Sequence, residues 1–154
     1  MASYYFDTSA LAKRYLKENG SSWVSDVCDD SPNNLIFVSE LTEIELISAI
    51  SRRVRGGSLT VVAAQIGIEN FDSDRVEQYL AVEVSKSVLL AARDIVETHS
   101  LRGYDAVQLA SALECNRRQI LRGFAPIYFV SADTELLAAA RSEGLETENP
   151  SDHE

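Results

Sequence analysis

Histidine and cysteine are scarce in this chain, with two of each among 154 residues. Cys28 and Cys115 lie far apart without metal-like spacing, which points to buried free thiols rather than a disulfide or a zinc site. His99 and His153 are too scattered to suggest a histidine-ligated metal, and His153 falls in a polar tail expected to fray. Basic residues are the minority charge: 14 Lys and Arg against 24 Asp and Glu give a net charge of −10. That balance argues against a broad basic surface for non-specific nucleic-acid binding, but not against a local basic rim around an acidic pocket. No apolar run approaches membrane-spanning length, and the N-terminus lacks the basic and apolar segments of a signal peptide. The expected location is therefore cytoplasmic. No repeat, linker or low-complexity stretch breaks the chain. Residues 1–150 read as one domain and 151–154 as a polar C-terminal tail.

What is present begins with Tyr4-Tyr5-Phe6-Asp7-Thr8-Ser9-Ala10. Three aromatic residues suit a buried strand, and the run ends at a carboxylate where Leu11, Ala12, Tyr15 and Leu16 take up helical spacing. The first strand and helix cover about residues 3–18. Ser22 is placed to cap a short second helix. Leu35-Ile36-Phe37-Val38 reads as an apolar strand, and Ser39 as the start of a helix that Gly56-Gly57 stops after Arg55. Residues 59–76 read as a weaker helix broken at Asp72-Ser73-Asp74. A strand over 79–84, helices from Ser85 to Thr98 and on to Arg118, a strand over 126–130, a helix over 134–143 and a weak strand over 145–148 complete the chain. Continuous apolar strands alternating with helices predict an α/β fold whose parallel sheet is covered on both faces.

Four carboxylates stand in apolar surroundings. Asp7 and Asp133 each follow an apolar strand and precede a threonine, positions that suit helix N-caps and, equally, two acids on one sheet edge. Glu45 shares its helix face with Leu41, Ala49 and Arg52, whereas Glu43 shares a face with Glu40, Ile47 and Ile50; Glu45 is the favoured inward acid and Glu43 the alternative. Asp105 opens a helix that is small or apolar nearly all round, where the helix dipole favours it but burial without a partner is costly. In one pocket, four carboxylates could not all stay ionised unaided. A hard divalent cation relieves that, and carboxylate-held cations support phosphodiester hydrolysis. The basic residues are clumped, as Lys13, Arg14 and Lys17, as Arg52, Arg53 and Arg55, and as Arg117, Arg118 and Arg122. Each clump reads as a solvated helix face or as a phosphate contact.

In order and spacing, four motifs resemble the PIN domain, and more narrowly the VapC toxins of bacterial and archaeal toxin–antitoxin pairs. They are Phe6-Asp7-Thr8-Ser9-Ala10; Glu45-Leu46 with Ser48-Ala49-Ile50; Asp105-Ala106 with Leu109-Ala110 and Ala112; and Val130-Ser131-Ala132-Asp133. The resemblance implies a three-layer α/β/α sandwich around a parallel sheet, with the first and fourth strands adjacent. It further implies an endoribonuclease dependent on Mg²⁺ or Mn²⁺, which cleaves RNA through metal-activated water. Asp7, Glu45, Asp105 and Asp133 would be the catalytic, metal-holding acids, supported by the hydroxyls of Thr8, Ser9 and Ser131. The implied partners are the RNA substrate, a second copy of the chain and a VapB-like antitoxin, with the helices of residues 40–76 facing the antitoxin and the dimer. Two departures stand out: Ser131 replaces the threonine of many relatives, and Glu135 stands where some have a further aspartate, leaving it as an optional fifth acid. A phosphate-receiving regulator would need a lysine ending the fourth strand, and a haloacid-dehalogenase-type phosphatase would need an aspartate at Ser9. A stand-alone PIN nuclease, or a PIN fold that binds RNA without cutting it, is the remaining alternative.

Overall fold

The aromatic run that opens the chain forms the central strand of a five-stranded sheet. The computed structural model describes residues 1–30 and 32–153. Strand β1 (Ala2–Phe6) pairs in parallel with β2 (Asn34–Ser39) on one side and β4 (Tyr128–Val130) on the other. Strands β3 (Tyr79–Val82) and β5 (Glu146–Glu148) add parallel edges, giving the order β3-β2-β1-β4-β5. Side chains alternate across a strand, so consecutive aromatics of β1 enter different cores. Tyr5 packs with Phe129 under helices α5 (Lys86–Thr98), α6 (Gly103–Leu121) and α7 (Thr134–Ser142). Phe6 packs with Ile36 and Val38 under α1 (Thr8–Tyr15), α2 (Ser21–Asp29), α3 (Thr42–Arg55) and α4 (Val61–Glu77). The result is the expected three-layer α/β/α sandwich on a parallel sheet, with β1 and β4 adjacent. Both cysteines are free and buried, and no described helix is long and apolar enough to cross a membrane.

Several local expectations are corrected by tertiary contacts. Helix α4 runs unbroken through Asp72-Ser73-Asp74. Asp74 accepts a 2.7 Å hydrogen bond from the Tyr15 hydroxyl, and Arg14 lies 3.6 Å from the same carboxylate. Arg14 also donates to Gln78 and to the Tyr79 hydroxyl, both at 2.9 Å, so Asp74 is drawn onto α1 and the helix continues. Ser39 belongs to β2, and its hydroxyl accepts from Leu41 N–H, so α3 starts three residues later than expected. The C-terminal tail does not fray at His153: its ring stacks on Trp23 with centroids 4.3 Å apart and meets Glu148 at 2.7 Å.

Ser22 does not cap α2; that place belongs to Gly20, with φ of +88°. A Cβ there would lie 2.7–2.8 Å from backbone and side-chain atoms of Pro150, in the short 3₁₀ turn Pro150–Asp152. Both the left-handed backbone and the close approach exclude a side chain. Gly20→Ala is expected to destabilise the protein by about 2 kcal/mol or more, read as a lower urea midpoint with an unchanged slope.

Candidate active site

Parallel pairing of β1 with β4 aligns Phe6 with Val130, and Asp7 N–H donates to Val130 C=O at 3.0 Å. The residues that leave these two strands therefore emerge together. Asp7 is only 4% exposed, yet no cation pairs with it among the described residues. Its carboxylate accepts from three neutral donors instead. Ser131 Oγ lies 2.6 Å from Oδ2, while Ser9 Oγ and Ala10 N lie 2.8 and 2.9 Å from Oδ1. Ser9 and Ser131 are themselves fixed, since Ser9 Oγ accepts from Ala132 N–H and Ser131 Oγ from Asp133 N–H. Asp133 caps α7 through Oδ1, which accepts from the N–H groups of Glu135 and Leu136. Both strand-end aspartates are thus helix caps, and the capping pins them to the same sheet edge.

Glu45 comes from the first turn of α3, which follows β2, and Asp105 from the first turn of α6. Gln108, buried one turn beyond Asp105, donates from Nε2 to Glu45 Oε1 at 2.9 Å and more weakly to Thr8 Oγ1 at 3.4 Å. The buried Tyr5 hydroxyl donates to Gln108 Oε1 at 2.8 Å. That bond fixes which end of the amide faces Glu45. Glu43 points elsewhere, 3.7 Å from Arg75. Glu135 is exposed and borders a separate depression with His99 and Leu101. A groove of about 910 Å³ opens over the site, lined there by Thr8, Ser9, Glu45, Asp105 and Asp133, with Asp7 behind them.

Electrostatics tie the acids together. Burial pushes the Asp7 carboxyl up to about 6, against the lowering effect of its Ser131, Ala10 and Ser9 hydrogen bonds, and the charge of Asp105 adds to the rise. Glu45 is raised by burial and by Asp105, with Gln108 and Thr8 opposing. Asp105 is raised by burial and then by Asp133, with Arg102 partly offsetting. Asp105 is therefore the electrostatic neighbour common to the other three. All the acidic donors are carboxylate oxygens, the type a hard divalent cation prefers. Among the described residues no three acids, histidines or cysteines lie close enough to form a ready-made metal group. The donors fit such an ion in kind.

Gln108 and Tyr5 were not singled out from the sequence. Gln108 carries the same signal as Asp105, a polar side chain in an almost wholly apolar helix, but it bears no charge to mark it. Nothing local marks the Tyr5 hydroxyl, because its role depends on α6 crossing β1.

The PIN domain family model matches residues 4–142. Two curated relatives from Mycobacterium tuberculosis, Ribonuclease VapC45 of strain CDC 1551 / Oshkosh and Ribonuclease VapC49 of strain ATCC 25618 / H37Rv, are each 34% identical over 119 residues. The match spans 73% of this chain and 76% of each relative. Among solved structures, VapBC2 from Rickettsia felis, bound to a DNA fragment from its promoter, superposes with a TM-score of 0.64 at 14% identity. It covers 96% of this chain and 98% of that one. DNA-bound VapBC from Salmonella typhimurium gives 0.62 at 12% identity, covering 97% and 99%. At these identities the two structures speak for the fold, while the family match and the sequence relatives speak for descent: the chain belongs to the PIN domain family, among its VapC-type members.

Proposed function

We propose that the protein is a divalent-metal-dependent endoribonuclease, the toxin of a VapBC-type pair. The observation that carries this reading is the gathering of Asp7, Glu45, Asp105 and Asp133 at one sheet edge, three of them with carboxyls raised by burial and mutual repulsion. The names of the two ribonuclease relatives support the substrate class. The same four acids are the residues that would hold Mg²⁺ or Mn²⁺. When bound, such an ion offsets phosphate charge and lowers the pKa of water at the site.

The chain's own residues supply orientation and proton control. Asp7 is locked by three hydrogen bonds, so it has little rotamer freedom left to lose on binding a cation. Asp133 spends Oδ1 on its helix, and Oδ2 makes no hydrogen bond among the described residues. Gln108 holds Glu45 toward the groove and is itself held by Tyr5. Asp105, half-buried beside the other acids, has its carboxyl raised by burial and by the charge of Asp133, and its own charge in turn raises Asp7 and Glu45.

Silencing fits a VapB-like antitoxin with a basic segment, an Arg among the carboxylates being the strongest complement to this pocket. Helices α3 and α4 carry exposed Ile44, Val61, Val62 and Ile66, which suits an antitoxin-facing and dimer-facing surface. Sedimentation is expected to give a dimer; a strict monomer at high concentration would remove that part of the reading.

The direct test is cleavage of RNA by purified, antitoxin-free protein with Mn²⁺ or Mg²⁺. Wild type is expected to cut, Asp7→Asn to fall below detection and Glu135→Gln to match wild type; equal cutting by Asp7→Asn, or no cutting by wild type, would defeat the assignment. In the same assay Gln108→Leu should lose about 10- to 100-fold, the usual cost of removing a group that orients a metal-holding side chain. It should also lose about 1–3 kcal/mol of stability in urea, since the buried Tyr5 hydroxyl is left without its acceptor.

A further inference from the structure

The groove above the acids does not end with them. It continues between α1 and α3, where Lys13, Arg52 and Arg53 line it together with Glu18. Arg52 lies seven residues after Glu45 on α3, which returns it to nearly the same helix face about 10.5 Å further along the axis. Ser48 and Ala49, between them, also line the groove, so one floor runs from the acidic end to the basic end. Lys13 stands four residues after Ser9 on α1 and is buried, an unusual state for a lysine.

Three cations line the far end beside a single carboxylate, and only two of them pair with it. Glu18 is shared by Lys13 Nζ and Arg53 Nη1, each at 3.3 Å. The Arg52 guanidinium is exposed and has no ion pair or hydrogen bond among the described residues. On a chain of net charge −10, a positive surplus in the groove that also holds the acids is a local exception needing a reason. The acidic end offers a different contact. Tyr104, next to Asp105, lines the groove with 58% of its surface exposed and no aromatic partner among the described residues. An exposed tyrosine ring is a platform on which an unpaired base can stack, whereas a base inside a duplex already has its neighbours.

We propose that this groove is a track for single-stranded RNA, with Tyr104 stacking a base beside the acids and Arg52, backed by Lys13 and Arg53, holding a backbone phosphate. The distance from Glu45 to Arg52 matches about three nucleotides at duplex rise, and fewer in an extended strand. The proposal rests on the ribonuclease reading for its ligand but is tested by binding, without turnover.

The probe is a fluorescein-labelled, unstructured RNA of about ten nucleotides, a length suited to single-strand sites of this kind. It is titrated by anisotropy in EDTA between about 50 and 200 mM salt, alone and annealed to its complement. Arg52→Ala is expected to weaken binding and to lower the slope of log K against log salt by about 0.7, the share of one single-strand phosphate. Tyr104→Ala should weaken binding roughly tenfold with the slope unchanged. Arg117→Ala, whose side chain pairs with Glu114 outside the groove, should bind like wild type. The duplex should bind more weakly than the single strand. Wild-type binding and slope in both groove variants, or equal affinity for duplex and single strand, would overturn the proposal. If cleavage needs Asp7 but binding ignores Arg52 and Tyr104, the groove assignment falls and the nuclease reading stands. If binding needs Arg52 and Tyr104 but no RNA is cut with either ion, the groove assignment stands and the nuclease reading falls.

Discussion

The site depends on one backbone interaction, the parallel pairing of β1 with β4. Asp7 and Asp133 are more than a hundred residues apart in sequence, and only the alignment of Phe6 with Val130 brings their strand ends side by side. That pairing also puts the Ser131 hydroxyl on Asp7 and lets Ser9 bridge to the Ala132 backbone. Against it stands the cost of an aspartate 4% exposed with a carboxyl shifted up to about 6. In the metal-free protein, ionising that group costs on the order of 3 kcal/mol relative to the unfolded chain. The sign follows from the raised value: the penalty is absent below the unfolded carboxyl range and grows as pH rises toward about 6. Such a carboxylate is poorly explained as a cap alone, since an exposed aspartate would cap α1 as well without the penalty. Strain of this kind is expected where function requires it.

Much of the fold was legible because the strands are short, apolar and separated by helical spacing. The acids were legible for a similar reason, as charges standing where the pattern called for apolar residues. Glu45 could be preferred to Glu43 because a helix presents one face at a time, and α3 does turn Glu45 toward the groove while Glu43 meets Arg75. Strand order was not readable from the pattern of the chain and came only with the resemblance to the PIN family. What escaped was set by distant contacts. Asp72-Ser73-Asp74 looks like a break until Tyr15 and Arg14 engage Asp74. His153 looks like a loose end until Trp23 is beside it. Gln108 is an uncharged amide among acids, yet it links Tyr5 in the core to Glu45 beside the groove.

The two ends of the groove carry opposite charge. At one end carboxylates accumulate and repel; at the other, cations outnumber Glu18. A phosphate chain entering such a groove would be repelled by the acidic end unless a cation were there, so substrate and metal would favour each other's binding through the same charges.

The central claim, that the four acids form one hard-cation site, is tested most directly by calorimetry of Mn²⁺ binding to the RNA-free protein, in buffers of different ionisation enthalpy. A cation must displace the protons that Asp7, Glu45 and Asp105 hold above their ordinary range. Saturable binding is expected, with net proton release near pH 5–6, set by the Asp7 carboxyl at about 6, fading to none by about pH 8, and with affinity rising across that interval. Asp105→Asn should weaken binding and reduce the release. No saturable binding, or binding of equal affinity at both pH values with no proton released, would contradict it.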